Sequence, residues 1–432
     1  MTNKQEKNYT LPIIMMILLF GMISFITNLA APMGVVLKAQ FNVSNFAGLL
    51  GNAANFIAYA VMGIPSGILL QRVGYKKTAL IAVAVGFLGV GIQYLSGYAG
   101  KDSAFIVYLA GAFVAGFSMC LLNAVVNPML NTLGGGGNKG NQLIQIGGSF
   151  NSVMATLTPM IVGILIGDAA RARITDIFPF MYAAMAVFAI IFIILLVVSI
   201  PEPYAEQSSE PLGKLMLGAL KFRHFILGAV GIFVYVGVEV GTFGILNLFL
   251  ADPSLPNSLN ATSAGFVAGM YWFMMLIGRL VGASIGGKVS SRTMLATASG
   301  IGLLFVLFAI FSPSSTPVSL PVLKSVDGIT SFGFLEVPLN AAFIVLIGLC
   351  TSIMWGSIFN LAVEGLGKYL AAASGIFMTL VCGGGILPAL QGKIADIAGY
   401  LPSYWVIFAG LAYLLFYALA GSRNVNKDIS VD

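Results

Sequence analysis

Charged side chains are scarce in this chain, in which Asp, Glu, Lys and Arg make up 8% of 432 residues. Ordinary soluble domains carry roughly 25% charged residues, because a folded surface in water has to be covered by solvated side chains. At about a third of that usual density, the chain cannot be a soluble globular protein.

Cysteine and histidine are rare as well, with three and one copies respectively. Cys120, Cys350 and Cys382 each lie in an apolar stretch, and the sequence has no CxxC motif or paired spacing. This pattern argues against a disulfide framework and against a zinc site. We therefore expect no metal and no cofactor.

Motifs of membrane-embedded enzymes and of nucleic-acid-binding proteins are also lacking. The sequence has no HExxH motif and no pair of Asp residues within an apolar run. The net charge of +6 comes from 21 Lys and Arg residues, which are scattered among apolar segments and form no run. We predict a protein that is not an enzyme and has no nucleic-acid partner.

Apolar length is abundant: 58% of the residues are hydrophobic, and long apolar runs recur along almost the whole chain. A helix that crosses a membrane takes about 20 residues, and the first run is too long for a cleaved signal peptide. The predicted fold is therefore all-α and integral to the membrane. Turn residues and charges divide the runs into twelve predicted transmembrane helices, at 11–37, 46–70, 77–98, 104–133, 141–166, 178–200, 224–250, 262–287, 293–312, 338–363, 370–392 and 402–421.

The basic residues predict the orientation of these helices. With the N-terminus inside, fourteen of the 21 Lys and Arg residues fall in cytoplasmic segments and six on the opposite side, with Arg279 in a span. This asymmetry fits the positive-inside rule. We expect a cytoplasmic (inner) membrane protein with both termini in the cytoplasm.

The two halves of the sequence resemble each other. Gly63 and Gly67 recur at the same spacing as Gly278 and Gly282, and Asn127 with its following Leu-Gly pair recurs at Asn360. Such a six-plus-six duplication is typical of transporters whose two bundles rock about a central site. We predict two pseudo-symmetric six-helix bundles joined by a cytoplasmic linker, with boundaries at 1–200, 201–223 and 224–432.

The segment between the second and third helices carries the most specific motif, GILLQRVGYKK. It resembles the loop 2/3 motif of the major facilitator superfamily, which implies a role in conformational change for Gly67, Arg72, Gly74, Lys76 and Lys77. The superfamily usually has an Asp where this chain has Gln71, so a charge pair of that loop is missing here.

Several further segments narrow the resemblance to the fucose:proton symporter family, which also includes glucose/galactose and N-acetylglucosamine permeases. They are ITNLAAP around Asn28, the 44–76 segment, LLNAVVNPMLNTLG, SFNS, YVGVEVGTF and IGRLVG. Proton-coupled fucose permeases of the family carry an Asp and a Glu at the positions of Ala31 and Asn123. Neither replacement can take up a proton, so the driving ion or its site must differ.

Glu239 is the one acid that lies well inside a predicted helix. A charged residue at the centre of a span costs roughly 2.5–3.5 kcal/mol on insertion scales, which favours a functional position. We predict that Glu239 couples a cation or binds the sugar. The alternative is a structural pair with Arg279 on the next helix, and we expect Arg279 itself to extend toward the cytoplasmic surface.

Polar uncharged side chains trace a predicted sugar path. Asn123, Asn127 and Asn131 recur every four residues, so they share one face of a helix. Amides suit sugars because they both donate and accept hydrogen bonds, and an aromatic face can stack on a pyranose. The predicted substrate-binding residues are Asn28, Asn52, Asn55, Asn123, Asn127, Gln145, Asn151, Glu239, Asn247, Tyr271, Trp272, Trp355 and Asn360.

Together these features predict a secondary active transporter that imports a hexose, fucose or amino sugar by alternating access. Cation-coupled symport with H⁺ or Na⁺ is the expected mode. An uncoupled uniporter, a transporter of another small polar solute and a channel remain as alternatives. The expected partners are the sugar and the lipid bilayer, and we expect a monomer. The residues leave open which sugar is carried and in which direction.

Overall fold

The computed structural model describes residues 9–41, 45–166, 173–202, 212–252, 254–255, 258–259, 261–326, 329–426 and 429. The chain divides into two compact units, of which unit 1 comprises Met1–Leu217, Leu366–Thr379 and Val431–Asp432, and unit 2 comprises Gly218–Gly365 and Leu380–Ser430. A short segment from late in the chain thus belongs with the first unit.

Helices make up most of both halves of the sequence. The first half contains α1 (Thr10–Phe41), α2 (Asn45–Leu95), α3 (Lys101–Leu133), α4 (Gly137–Ile166), α5 (Phe178–Val197) and the short α6 (Leu212–Ala219). The second half contains α7 (Arg223–Ala251), α8 (Ala261–Ile285), α9 (Ser291–Phe311), strands β1 (Pro317–Val326) and β2 (Ile329–Pro338), α10 (Leu339–Thr351), α11 (Met354–Ala362), α12 (Leu370–Thr379), α13 (Gly383–Ala398), α14 (Tyr400–Ser403) and α15 (Trp405–Phe416), which continues as a π-helical turn over Tyr417–Gly421.

Ten helical segments of the described residues are long and apolar enough to cross a membrane. One of them, Ala53–Tyr98, contains two crossings because α2 is interrupted at Gly74. Helix α4, 30 residues long, coincides with the span predicted over 141–166. Each of the twelve spans predicted from the sequence therefore coincides with a helix or with a pair of consecutive helices, and the chain is a multi-pass membrane protein.

A carboxylate from the segment that follows α5 fixes the interruption of α2. Gly74 has a left-handed φ of 81°, a conformation that glycine adopts without strain. The next two backbone N–H groups, of Tyr75 and Lys76, donate to the two carboxylate oxygens of Glu202 at 2.7 and 2.9 Å. Because these N–H groups begin a new helix, the negative charge also stabilises the helix N-terminus.

Helix α12 packs closely on α2 within unit 1. A methyl group at Gly67 would lie 3.0 Å from the carbonyl oxygen of Ala371 and 3.1 Å from the Cα of Gly375. At Gly63 it would lie 2.6 Å from the Cα of Thr379. Small residues are what allow two membrane helices to approach this closely, so the glycines of α2 explain why α12 belongs to unit 1.

The predicted helix 338–363 is interrupted, which corrects the sequence-based boundary. Helix α10 ends at Thr351 and α11 begins at Met354. The Thr351 hydroxyl donates to the carbonyl of Ile347 at 3.2 Å, and the Ser352 hydroxyl donates to that of Leu349 at 2.6 Å. Such side-chain bonds compete with the backbone ladder and bend helices, which accounts for the interruption at this place.

The predicted helix 370–392 is also divided, into α12 and α13, by a 3₁₀ turn over Leu380–Cys382. Three glycines, 383–385, follow this turn, and glycine weakens a helix interior. The predicted linker 201–223 contains helix α6, which the sequence did not indicate, and residues 203–211 of that linker lie outside the described residues.

The sequence predicts no regular structure for residues 313–337, but they form an antiparallel hairpin of β1 and β2. Asp-Gly, the pair between the strands at 327–328, is favoured in two-residue hairpin turns. Side chains alternate between the two faces: Val322 and Val337 are buried, whereas Phe332 and Phe334 are exposed. The hairpin therefore has one face packed on the protein and one open face.

Asp252 closes the C-terminal end of α7. Its carboxylate accepts bonds from the Ser254 hydroxyl at 2.7 Å, from the Ser254 N–H at 2.9 Å and from the Tyr400 hydroxyl at 2.9 Å. These bonds, first that of the Ser254 hydroxyl, lower the pKa of Asp252. A lowered pKa means that the ionised carboxylate stabilises the fold.

We expect the Gly74→Ala variant to be destabilised, because its Cβ would lie 2.8 Å from the Glu202 carboxylate and a left-handed alanine costs about 1–2 kcal/mol. Glu202→Gln should be destabilised less, since an amide oxygen still accepts one of the two bonds. Thermal unfolding in detergent measures both, with Glu336→Gln on the exposed face of the hairpin as the control. An unchanged melting temperature for Gly74→Ala would contradict this account.

The contribution of Asp252 to stability should be present above the ordinary aspartate pKa of about 4 and lost as the pH falls through the lowered value. The melting temperature of the wild type should therefore decrease on acidification in this range, and that of Asp252→Asn should decrease less. Parallel acid profiles for the two proteins would show that the hydrogen bonds of Asp252 do not depend on its charge.

Candidate functional site

A buried row of amides runs along α3 in unit 1. Asn123, Asn127 and Asn131 recur at four-residue spacing, and their exposed fractions are 4%, 0% and 9%. The sequence predicts this shared face, since residues four apart lie above one another on a helix. Amides in an apolar helix need polar partners inside the protein.

Two of these amides form a chain of hydrogen bonds with a tyrosine of α2. The Asn123 side-chain amide donates to the Tyr59 hydroxyl at 2.6 Å. The Asn127 side-chain amide donates to the backbone oxygen of Asn123 at 2.9 Å and to its side-chain oxygen at 3.2 Å. Asn123 is thus both donor and acceptor in this chain of hydrogen bonds.

The other candidates of unit 1 lie in separate contacts. Asn28 donates to the carbonyl of Ser24 in its own helix at 2.8 Å, and Gln145 donates to Asn141 one turn earlier at 3.4 Å. Asn151 joins α4 to α1 through the carbonyl of Phe20 at 2.8 Å. Asn55 is buried in α2, and the side chain of Asn52 lies outside the described residues.

The loop 2/3 motif occupies the interruption of α2. Arg72 and Lys77 are exposed, whereas the Lys76 ammonium donates to the carbonyl of Leu196 in α5 at 2.9 Å. Gly67 lies at the contact with α12, and Gly74 provides the left-handed turn. The motif therefore joins three helices of unit 1.

An ion pair joins α7 and α8 in unit 2. The nearest approach is 3.9 Å, between Nη2 of Arg279 and Oε1 of Glu239, and the two side chains are 11% and 14% exposed. The Arg279 Nε also donates to the carbonyl of Ser352 at 3.2 Å. The expectation that Arg279 extends to the cytoplasmic surface is wrong, because these two acceptors draw the guanidinium into the bundle.

Aromatic side chains surround this ion pair. Tyr235 lies one turn before Glu239 on α7, close enough to interact with it electrostatically, and its ring meets that of Trp355 edge-on at 6.2 Å. Tyr271 of α8 shares a hydrogen bond of 2.8 Å with Thr351. The structure thus brings the predicted Glu239, Tyr271 and Trp355 together at the interruption between α10 and α11.

Two predicted residues of α7 and α8 extend this region. Trp272 packs its ring against Phe243 with centroids 5.4 Å apart. Asn247 has a buried side-chain oxygen without a hydrogen-bond partner among the described residues. Asn247 and Phe243 lie on the same four-residue row of α7 as Glu239, so this row carries a carboxylate, an aromatic ring and an amide.

Asn360, in contrast, lies in a different contact, where its side-chain amide donates to the Ser291 hydroxyl of α9 at 2.8 Å. Asn360 and Ser291 are both buried. This bond ties α11 to α9, so the geometry of Asn360 is that of a packing contact in unit 2.

Two residues of unit 2 were missed in the sequence. Tyr235 carries a buried hydroxyl that interacts with Glu239, and its position one turn from Glu239 was an available signal. Gln391 of α13 is fully buried, and both of its amide atoms lack partners within the described residues. The available signal was that Gln391 is the one amide of the apolar, glycine-rich segment 383–392.

Among the described residues, no group of three His, Cys, Asp or Glu side chains could hold a metal ion. The polar groups of the two units are amides, hydroxyls, aromatic rings and one ion pair. Such a set both donates and accepts hydrogen bonds and offers flat apolar faces, which suits a neutral, polyhydroxylated ligand.

Known proteins resemble this chain along almost its whole length. The sequence model of the Major Facilitator Superfamily matches residues 13–389. The "Glucose/galactose transporter" of Brucella abortus is 29% identical, over 97% of this chain and 96% of its own length. The "L-fucose-proton symporter" of Escherichia coli is 21% identical, over 97% of this chain and 94% of its own length.

Solved structures show the same fold. The transporter FucP in the outward conformation has a TM-score of 0.80 at 18% identity, with 96% of this chain and 100% of that chain covered. The proton:xylose symporter XylE has a TM-score of 0.69 at 11% identity, with 95% and 96% covered. The family model spans most of the sequence, and the twelve-helix fold agrees with it. The chain therefore belongs to the Major Facilitator Superfamily.

Proposed function

We propose that this protein is a secondary active transporter that imports a monosaccharide, a hexose, fucose or amino sugar, by alternating access. The observation that carries the proposal is the buried chain of hydrogen bonds from Tyr59 through Asn123 to Asn127. Neutral donors and acceptors at this depth match the hydroxyl groups of a sugar. Relatives named as glucose/galactose transporters align with 97% of the chain.

Coupling to a cation is the second part of the proposal. Glu239 is a carboxylate within a span, 14% exposed and held at 3.9 Å from Arg279, a distance beyond that of a good hydrogen bond. A proton or a sodium ion can bind such an oxygen. The E. coli relative is named as a proton symporter, but Ala31 and Asn123 replace the acids of the resembling fucose permeases. We therefore assign the coupling ion to Glu239.

The distribution of Lys and Arg supports a cytoplasmic-membrane protein with both termini in the cytoplasm. We propose that it works as a monomer and uses no cofactor and no nucleic acid. The buried amides and the ion pair lie within single units, so neither cluster needs a second copy of the chain.

The test is counterflow in proteoliposomes that contain the purified protein, with labelled hexoses, fucose and N-acetylhexosamines offered one at a time. A carrier exchanges labelled for unlabelled sugar, whereas a channel does not. Net accumulation is then measured under a pH gradient and a sodium gradient, imposed separately. Exchange without accumulation would identify a uniporter, and no exchange of any of these sugars would overturn the proposal.

The Asn123→Ala variant should bind sugar about tenfold more weakly, the equivalent of one lost hydrogen bond. It should also unfold at a lower temperature, because the buried Tyr59 hydroxyl loses its partner. The matched control is Asn340→Ala, since Asn340 is equally buried but donates to the backbone carbonyls of Ala309 and Ser312, both at 2.7 Å.

Asn340→Ala should lower the melting temperature and leave the concentration dependence of counterflow unchanged. If both variants weaken sugar binding equally, the effect of Asn123 is one of stability, and the amide row is not a sugar site.

A further inference from the structure

Helix α8 holds the last turn of α10 at two points. The Tyr271 hydroxyl bonds to Thr351 at 2.8 Å, and two turns later the Arg279 Nε donates to the Ser352 carbonyl at 3.2 Å. A methyl group at Gly278 would lie 2.7 Å from the carbonyl oxygen of Leu349, so the backbones approach closely. The end of α10 is therefore fixed by side chains of α8.

Arg279 is shared between this helix end and the acid of α7. Its Nε binds Ser352, and its Nη2 lies 3.9 Å from the Glu239 carboxylate. The titratable or charged groups that face Glu239 among the described residues are Tyr235 on its own helix and Tyr271 and Arg279 on α8. Arg279 is the one cation of this set, so the charge of Glu239 acts mainly on the guanidinium.

The interruption between α10 and α11 lies next to an aromatic contact. Trp355, in the first turn of α11, meets the ring of Tyr235 on α7. Discontinuous helices in transporters frequently carry substrate and ion sites, because the ends of the half-helices and their freed carbonyl groups can bind charged ligands. A side chain that binds the end of α10 and also interacts with the charge of Glu239 can connect that charge to the interruption.

We propose that Arg279 is the positioning residue of cation coupling, which transmits the occupancy of Glu239 by a monovalent cation to the interruption between α10 and α11. When the cation neutralises Glu239, the attraction of the guanidinium to α7 is lost, while its bond to Ser352 remains. The guanidinium can then move away from α7, and the end of α10 moves with it through the bond to Ser352. This inference rests on the proposed transport function, and it adds a residue that no sugar needs to touch.

A ligand shifts a conformational equilibrium only through a difference in its interactions with the two states. Here that difference is the ion pair between Glu239 and Arg279. The pair is present when Glu239 is ionised and absent when a cation has neutralised Glu239. The proposal therefore predicts that exchange of sugar, which needs no release of the cation, survives the loss of Arg279, whereas accumulation driven by a gradient does not.

The experiment compares Arg279→Gln, Arg279→Lys and Glu239→Gln with the wild type in proteoliposomes. The matched control is Arg292→Gln, because Arg292 also donates from Nε to a serine of unit 2, Ser422, at 3.3 Å. Counterflow and accumulation are measured for each protein, under a pH gradient in one series and a sodium gradient in the other. The series that drives the wild type identifies the cation.

Arg279→Gln should retain counterflow and lose accumulation by about tenfold or more, within the usual range of coupling between sites. Arg279→Lys, which keeps the charge but lacks the Nε donor, should fall between Arg279→Gln and the wild type. The double variant that combines Arg279→Gln with Glu239→Gln should lose no more accumulation than either single variant, because both substitutions remove the same interaction. Arg292→Gln should accumulate sugar like the wild type.

A fluorescence measurement follows the interruption directly. The chain has three Trp residues, and replacing Trp272 and Trp405 by Phe leaves Trp355 as the reporter. Its emission should change when the coupling cation is added without sugar, and this change should be absent when Arg279→Gln is introduced. This readout distinguishes transmission from a general loss of stability, and it is available if transport by a variant is too weak to measure.

Wild-type accumulation by Arg279→Gln, an equal loss of counterflow and accumulation in both Arg279 variants, or a Trp355 response that persists without Arg279 would each overturn the inference. None of these results would remove the proposed sugar transport, provided that the wild type exchanges sugar. Failure of the wild type in counterflow would instead overturn the proposed function.

Discussion

The interior of a lipid bilayer offers no partner for a polar group, so every polar side chain within a span has to be matched inside the protein. This chain meets that requirement mostly by having few charged residues, which make up 8% of the sequence. Several of the polar groups that remain within the spans form hydrogen-bonded contacts between neighbouring helices, as Asn123 does with Tyr59 and Asn360 with Ser291. The architecture and the candidate sites of both units follow from this one constraint.

The two units meet the constraint with different chemistry. In unit 1, Tyr59, Asn123 and Asn127 satisfy one another as neutral groups, and neutral bonds of this kind can be exchanged for bonds to a ligand at little electrostatic cost. In unit 2, Glu239 and Arg279 bring full charges into a span, where removing one partner leaves the other charge uncompensated. Under the proposed function, recognition of a neutral ligand and response to an ion thus have separate physical bases.

Much of the fold follows from apolar length and from helical spacing. The four-residue spacing of Asn123 and Asn127 fixes a shared face, so their contact could be predicted, and Gly67 and Gly74 lie where close packing and a left-handed turn require glycine. The direction of Arg279 could not be predicted, because a long flexible side chain reaches either the surface or a buried acid, and only the position of α10 decides which.

The interruption of α10 was hidden for a different reason. Ser and Thr side chains that bond back to their own helix also occur in continuous helices, as at Thr242 of α7. The sequence therefore indicates where a helix can be interrupted, and packing determines where it is. The hairpin of β1 and β2 was missed although the Asp-Gly pair between its strands was visible, and the segment was expected to have no regular structure.

The membership of α12 in unit 1 has a consequence for how the chain is made. Because the glycine face of α2 is covered by Leu370–Thr379, the first unit remains incomplete during translation until most of the second has been synthesised. The early helices can insert into the bilayer one by one. The contact of α2 with α12 at Gly63 and Gly67 forms only after a segment that leaves the ribosome much later. All parts of the first unit are therefore present only after Leu370–Thr379 has been synthesised.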